Sequence, residues 1–240
     1  MSLTLAAVIA AFVAAAAQSI TGFGYALLVV PVLTVVAGPR VAVATMTATG
    51  VPLVLFNAWR WRAHIRQRIA VLLIATALAG MPLGALFLKS ADERVLAGTV
   101  GLVVLVLTAA IWRGLAVPSG TGTLATAGAL SGALATSVGT NGPPLVVALH
   151  AEGLEPGAFR ATLQTVFAVE GSIALVTFWA TDLLTADVAR AAAAGIPAVL
   201  LGALAGDRLA RRVDRTRFRA AMLLMLALSG TLALVSAATR

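Results

Sequence analysis

The sequence predicts an all-α integral membrane protein, an inverted-topology repeat in which each half is a re-entrant helical hairpin or broken helix plus three transmembrane helices. Of its 240 residues, 60% are hydrophobic and only 11% are charged, which lies outside the usual composition of soluble domains. Two apolar segments carry polar, glycine-rich breaks, and the basic residues are concentrated in a few loops. Lipid cannot satisfy the backbone of an open strand, so every apolar segment is expected to be helical.

Apolar runs between charged or Gly/Pro-rich stretches divide the chain into eight segments. They span residues 3–36, 41–58, 69–88, 95–112, 123–149, 159–180, 188–205 and 218–237. The first is far longer than the roughly 20 residues that a transmembrane helix needs. The polar stretch 113–122 is expected to link a first membrane repeat, residues 1–112, to a second, inverted repeat, residues 123–240.

The first segment is interrupted by the sequence QSITGFG, residues 18–24. This interruption predicts two half-depth helices of roughly 12 to 15 residues each, with a turn near the middle of the membrane. Non-helical backbone survives at that depth only where it is buried in protein or lines a water-filled cavity. Glycines permit the turn, and the side chains of Gln18, Ser19 and Thr21 are able to pair with the backbone groups that it frees.

The fifth segment has a similar break at ATSVGTNGPP, residues 135–144, where hydroxyls, glycines and an amide precede two prolines. At an offset of 115 residues, Gly24 matches Gly139, and Gly-Met-Pro at 80–82 matches Gly-Ile-Pro at 195–197. Chance matching stays open as an alternative, because glycine and proline are common in membrane helices. A duplicated chain of this kind is a recurring feature of secondary transporters.

The distribution of Lys and Arg sets the expected orientation. Eight simple crossings would put the most basic loops, 60–68 and 207–219, on opposite faces of the membrane. If segments one and five fold back, both loops share a face with Arg113 and Arg160, with twelve Lys/Arg on this face against five on the other. The positive-inside rule makes the twelve-residue face cytoplasmic. Three crossings per half then invert the second repeat relative to the first.

The two breaks predict an anion-binding site. The second half of a broken helix presents unpaired N–H groups and a partial positive charge, which bind anions without a basic side chain. The alternative is that these residues only satisfy a kink in each helix. The candidate substrate-binding residues are Gln18, Ser19, Thr21, Gly22 and Gly24 in the first break, Ser137, Gly139, Thr140, Asn141 and Gly142 in the second, and Gln164 in the next segment.

Glu170 is the one acid within a predicted membrane segment. An ionisable side chain in a membrane helix is costly and usually faces a cavity, a partner or a proton pathway, so we predict a proton-coupling role. The alternative is a neutral acid that is hydrogen-bonded to the opposite half. Gln164, Thr165 and Asn57 are expected near the same cavity, although such side chains more often make helix–helix hydrogen bonds.

The composition also excludes several classes of function. With no cysteine, thiolate metal sites and disulfides are impossible, and His64 and His150 are the only imidazoles. No catalytic Ser/His/Asp set, metal-ligand cluster or phosphate-binding Gly-Lys loop can be assembled, so we predict no enzyme, cofactor or metal. The net charge of +8 indicates membrane orientation, and contact of Arg208–Arg219 with anionic lipid, rather than binding of nucleic acid.

Three stretches carry a family resemblance: TGFGYALLVVPVL (21–33), GALATSVGTNGPPLVVALHAEG (132–153) and FRATLQTVFAVEG (159–171). In these stretches the chain resembles the sulfite exporter TauE/SafE family of bacterial membrane proteins. The resemblance covers essentially the whole chain, although Gly-Phe-Gly-Tyr stands where the family often has consecutive glycines. It implies that the site is shaped by Gly22, Gly24, Pro31, Gly139, Asn141, Gly142 and Pro143.

The resemblance further implies a multi-pass secondary carrier of the bacterial inner membrane that exports a small anion, such as sulfite, sulfoacetate or another organosulfonate. Two rival functions stay open: a passive channel for the same solutes, and a non-transporting membrane scaffold or assembly factor. Proton coupling and homo-oligomer formation also stay open. A scaffold would use the polar breaks only for packing, whereas a transporter or channel would use them to contact the anion.

Overall fold

The computed structural model describes residues 2–114 and 116–209, together with 223–224, 227–228, 230–235 and 237–238. Within these residues every regular element is a helix, and six helices are long and apolar enough to cross a membrane. The predicted all-α membrane fold is therefore confirmed. The proposed lipid-contact segment Arg208–Arg219 falls almost wholly outside the described residues.

Nine α-helices and one short 3-10 helix, Arg62–His64, form the described chain up to Leu209. The α-helices are α1 Leu3–Thr21, α2 Tyr25–Ala37, α3 Pro39–Arg60, α4 Gln67–Ser90, α5 Glu93–Arg113, α6 Thr121–Ser137, α7 Gly142–Ala151, α8 Pro156–Ala180 and α9 Ala186–Leu209. Both predicted breaks are present, between α1 and α2 and between α6 and α7.

Glycines bring the first arm of each hairpin against a transmembrane helix. Gly202 and Gly206 of α9 lie on the backbone carbonyls of Phe12 and Ala16, so that a Cβ at either glycine would overlap the backbone of α1. Residue numbers increase in the same direction along both helices, from Gly202 and Phe12 to Gly206 and Ala16, so α1 runs parallel to α9. Small residues allow this close approach of helix backbones.

The second hairpin packs in the same way on a different helix. Gly80 and Gly84 of α4 lie on the carbonyls of Ala129 and Ala133 of α6, and again the contact pairs ascend together. The hydrogen bond from Gly120 N to Glu152 Oε1, 2.8 Å long, joins the start of α6 to the end of α7. The hairpin α6–α7 therefore enters and leaves at one end of the molecule.

That end is the basic one. Arg60, Arg160 and Asp207 surround a single opening there, which brings together the ends of α3 and α9 and the start of α8. At the opposite end, Arg40 Nε donates to Leu88 O at 3.1 Å, which joins the start of α3 to the end of α4. Since α1 runs parallel to α9, the hairpin α1–α2 begins and ends at this opposite end.

Two central helices, α3 and α8, pack against the hairpins. Val30 of α2 belongs to a buried apolar core with Val43 of α3. Leu145 of α7 belongs to a second core with Leu163 and other residues of α8. The short arm of each hairpin therefore packs against one of the central helices, and the two breaks face the space between them.

The arms of the hairpins are unequal. In the first hairpin α2 has the expected length of 12 to 15 residues, whereas α1 is longer than expected. The arms have 19 and 13 residues in the first hairpin and 17 and 10 in the second. At 1.5 Å per residue α1 is about 28 Å long, close to the thickness of the hydrocarbon core. The polar residues from Gln18 to Thr21 continue α1, which ends only at Gly22, where the backbone is left-handed (φ 88°).

The structure also changes the register of the internal match. Gly22 and Gly139 both follow a first arm in left-handed conformation (φ 88° and 70°), and so Gly139 corresponds to Gly22 rather than to Gly24. The two Gly-x-Pro sequences do not make equivalent contacts, because Gly80 packs against the backbone of α6 whereas Gly195 packs against the side chain of Thr49. The inverted repeat itself stays a prediction.

Candidate functional site

A central cavity of about 80 Å³ lies between the two breaks. It is bounded by the starts of α2 and α7, by the middle of α3 and by α8. Of the predicted substrate-binding residues, those that line it are Gln18, Gly24, Gly139, Thr140, Asn141 and Gly142. The two breaks therefore meet at one cavity, although they are far apart in the sequence.

The remaining predicted residues lie elsewhere. Ser19, Gly22 and Gln164 line a second, larger cavity. Ser137 is buried and donates to Ala133 O of its own helix at 2.6 Å, and it lines neither cavity. The side chain of Thr21 lies outside the described part of the chain.

Hydrogen bonds across the first break fix its shape. The amide oxygen of Gln18 accepts from Tyr25 N at 3.3 Å, which links the end of α1 to the start of α2. Gln164 Nε2 donates to Gly22 O at 3.0 Å, and Asn57 Nδ2 in turn donates to Gln164 Oε1 at 3.4 Å. Gln164 thereby satisfies a backbone carbonyl that the break leaves without a helical partner.

The second break is fixed by an acid. Asn141 precedes α7 without capping it through its side chain, and Nδ2 instead donates to Glu170 Oε2. The Ser131 hydroxyl lies 2.9 and 3.0 Å from the two carboxyl oxygens of Glu170, which is only 1% exposed. Both partners are uncharged and belong to the same half of the chain as Glu170. The alternative of a bond to the opposite half is therefore wrong.

Two residues that line the central cavity each carry a buried polar atom without a partner. Among the described residues, neither Gln18 Nε2 nor Thr140 Oγ1 has a hydrogen-bond partner, and the residues are 5% and 1% exposed. Because Tyr25 N occupies the oxygen of the Gln18 amide, the nitrogen is the end that remains available. Leaving a buried polar group unpaired costs about 1–3 kcal/mol, so a bound acceptor would relieve both groups.

The starts of α2 and α7 differ in the N–H groups that they offer. The first turn of a helix has N–H groups without an intrahelical acceptor. The helix α2 begins Tyr25-Ala26-Leu27, and because Tyr25 N already donates to the Gln18 amide oxygen, the N–H groups of Ala26 and Leu27 remain. The helix α7 begins Gly142-Pro143-Pro144, and proline has no N–H. The two breaks therefore differ in their backbone donors, and the first break offers more of them than the second.

Sequence reasoning did not identify several residues at the site. Tyr25 lines the central cavity, and its hydroxyl donates to Thr49 Oγ1 at 2.8 Å, while its ring packs against the face of Gly50. The alternating threonines of residues 45–50, in an otherwise apolar helix, were a usable signal. No sequence signal identified Ser131, because its contact with Glu170 depends on tertiary packing.

The second cavity, which we call the vestibule, has a volume of about 310 Å³ and lies at the basic end between α3 and α9. Its lining includes Arg60, Arg160 and Asp207, and both Arg60 and Asp207 are exposed. Gln18 lines the vestibule as well as the central cavity. The side chain of Gln18 therefore stands between the two spaces.

The comparisons with known proteins agree with the resemblance noted above. The family described as Sulfite exporter TauE/SafE matches residues 7–232, which include both breaks and Glu170. The "Probable sulfite/organosulfonate exporter TauE" of Cupriavidus necator is 30% identical over 204 residues, covering 80% of this chain and 78% of the relative. No solved structure matches the chain significantly.

Proposed function

This chain belongs to the sulfite exporter TauE/SafE family, and we propose that it exports sulfite or a small organosulfonate as a secondary transporter. Family membership and the six long apolar helices make it a multi-pass transporter of the bacterial inner membrane. The substrate class is supported by the family description and by the printed name of the relative from Cupriavidus necator. The substrate binds in the central cavity.

One observation carries this proposal: two residues that line the central cavity beside the start of α2 carry buried donors without a partner. Gln18 Nε2 and Thr140 Oγ1 come from different breaks, so an oxyanion that accepts from both would bridge the two hairpins. Hydrogen bonds to a charged acceptor contribute about 1.5–3 kcal/mol each. Neutral donors of this kind bind an anion firmly enough to select it while still allowing its release.

Proton linkage belongs to the same proposal and rests on Glu170. An ionised Glu170 repels an anion in the nearby cavity and accepts from Asn141 Nδ2. Protonation removes the repelling charge and weakens the acceptor, so Asn141 becomes able to donate to the substrate. Proton and anion therefore bind together, and anion affinity rises as the pH falls.

The test is anion binding and flux with purified protein. We expect sulfite or sulfoacetate, but not simple carboxylates, to raise the melting temperature, because a ligand that binds only the folded form stabilises it. Gln18→Leu should weaken this binding about tenfold or more, since it removes a donor to a charged acceptor. Gln67→Leu, the same change at an exposed site outside both cavities, is the matched control.

Flux in proteoliposomes separates this function from its rivals. A secondary transporter coupled to protons accumulates the anion against its gradient, and a protonophore abolishes the accumulation. Flux that only dissipates a gradient identifies a passive channel. The absence of both binding and flux for every sulfur anion would leave the scaffold function and overturn the proposal.

We also propose that the hairpins belong to an inverted repeat of residues 1–112 and 123–240, joined by 113–122. Support comes from their opposite entry ends and from their matching parallel contacts with α9 and α4. Cysteines introduced at Gly38 and His64 should react with impermeant reagents from opposite sides of the membrane. Labelling of both from one side would overturn the fold-back arrangement.

A further inference from the structure

The vestibule is a slot between one face of α3 and one face of α9, and the two faces have a similar arrangement of apolar and charged residues. Residues Leu53 to Arg60 of α3 and Leu200 to Asp207 of α9 contribute side chains at spacings of three and four, so each helix presents one face. On both helices the deeper residues are mainly apolar and the last one is charged. The innermost wall is the tip of α1, where Gln18 leads to the central cavity.

Arg160 is the most enclosed charge in this slot. It is half-buried, and its side chain lies beside Gly22, with Nε 3.6 Å from the place of a Cβ on that glycine. Among the described residues Arg160 has no hydrogen bond and no ion pair, and Asp207 and Arg60 are not paired with it or with each other. The vestibule is therefore lined by two guanidinium groups and one carboxylate, and the guanidinium donors of Arg160 are available to a ligand.

We propose that the vestibule is a separate capture site for an organic anion with one anionic head and a short apolar tail. The head binds Arg160, and the tail lies along the apolar faces of α3 and α9, at Phe56 and Leu204 among others. This inference rests on the proposed function and adds a second place of recognition to it. The central cavity, about 80 Å³ against about 310 Å³, takes the oxyanion group, while the vestibule recognises the organic part.

An anionic lipid has the same chemistry of charged head and apolar tail. A free organosulfonate fits better, because the slot is far smaller than a two-chain lipid and leads past Gln18 to the central cavity. The test therefore uses nanodiscs of two compositions, zwitterionic phosphatidylcholine alone and the same lipid with phosphatidylglycerol. Loss of sulfonate binding in the anionic nanodiscs would assign the slot to lipid and overturn the capture role.

The probes are unbranched alkanesulfonates from methanesulfonate to pentanesulfonate, titrated calorimetrically into the full chain. We expect Kd to fall about two- to fourfold for each added methylene, since each one buries apolar surface. Arg160→Gln should raise Kd about tenfold or more across the series, because the charge-assisted hydrogen bonds to the head are lost. Arg68→Gln, the same change at an exposed site in the first turn of α4 and outside the vestibule, should alter Kd less than about twofold.

A second variant tests the tail and does not depend on the folding of Arg160→Gln. Leu204 is 52% exposed, so Leu204→Ala removes part of the apolar wall without opening the core. We expect it to weaken pentanesulfonate binding severalfold more than methanesulfonate binding. An equal effect on both probes would overturn the assignment of the tail.

Sulfite flux distinguishes failure of this inference from failure of the proposed function. If the wild-type chain transports sulfite while Kd is independent of tail length, and Arg160→Gln behaves as Arg68→Gln does, the vestibule is no capture site and the transporter stands. If neither sulfite nor any sulfonate binds or moves, the proposed function fails and the inference fails with it.

Discussion

The two breaks occupy corresponding places in their hairpins but use different chemistry. The first is made of glycines, with left-handed backbone at both Gly22 and Gly24 (φ 88° and 106°). The second has one left-handed residue, Gly139 (φ 70°), and then Asn141 at the place of Gly24 before the next helix. A position without a side chain in one hairpin is thus an amide in the other, bonded to the buried acid Glu170.

This difference indicates that the two breaks have different roles in the proposed transporter. The first break has the N–H groups of Ala26 and Leu27, adds the unpaired amide nitrogen of Gln18 and lies beside the vestibule. The second lacks two N–H groups at its prolines and is tied to an acid. We infer that the first break contributes most of the anion recognition, and that the second adjusts it through the protonation of Glu170.

The largest expected effect is at the point where the two chemistries meet. Asn141→Leu should abolish anion binding, because it removes the link between the acid and the central cavity. Leucine has a similar size and Glu170 keeps its bond to Ser131, so we expect a folded, extractable protein destabilised by about 1–3 kcal/mol. Titration calorimetry with sulfite measures the loss, and chromatography in detergent checks the fold.

The matched change is Asn57→Leu, at an asparagine that contacts Gln164 beside the first break. It should weaken binding far less, because Asn57 lines the vestibule and not the central cavity. Unchanged binding in Asn141→Leu would contradict the role of the second break and favour a scaffold.

A second prediction compares the left-handed glycines of the two breaks. An alanine in left-handed conformation costs about 1–2 kcal/mol, and this cost alone is expected for Gly22→Ala, whose Cβ would meet only ordinary contacts with Arg160. Gly139→Ala adds overpacking, since its Cβ would lie 2.7 Å from Met46 Cε and 3.3 Å from Val30 Cγ2. We expect a total loss of about 2–4 kcal/mol.

Unfolding in mixed detergent micelles measures these losses. Gly153→Ala is the control for backbone strain alone, because Gly153 is left-handed (φ 63°) with nothing near the place of its Cβ. Equal destabilisation of all three variants would show that the second break is no more tightly packed than the first.

Sequence patterns predicted the helix breaks because their cause is local. Left-handed glycines end α1 and begin α2, and a glycine cluster is visible without knowledge of the fold. The predicted length of the first arm was wrong because Gln18 to Thr21 are compatible with a helix, so polarity alone did not mark its end. The sequence match between residues 80–82 and 195–197 did not predict equivalent packing, because the contacts of each glycine depend on the neighbouring helix.

The chemistry of the site was only partly predictable. Glu170 was evident as an acid in an apolar helix, but its contact with Ser131 and Asn141 needed the packing of α6 and α7 against α8. The vestibule was not foreseen, since Arg160 was counted with the basic face and not as the lining of a cavity. Long-range contacts between helices leave no trace in local periodicity, and they decide which polar groups remain unpaired.

The smallest expected effect sharpens the role of the second break. Glu170→Gln keeps the size of the side chain and the ability to accept from Asn141, but it cannot ionise. In the wild type we expect anion affinity to rise on the order of fivefold as the pH falls from about 8 to about 5.5, since protonation removes a like charge beside the cavity. In Glu170→Gln the affinity should stay near its low-pH value throughout.

The control is Glu155→Gln, which changes an exposed acid at the start of the same helix and should keep the wild-type profile. Since both variants remove one carboxylate, a change in overall charge alters them equally, and only a local role separates them. Methanesulfonate titrations at several pH values in constant salt make the comparison, because this anion, unlike sulfite, keeps a single charge over the whole range. A persistent slope in Glu170→Gln would assign the proton linkage to another group.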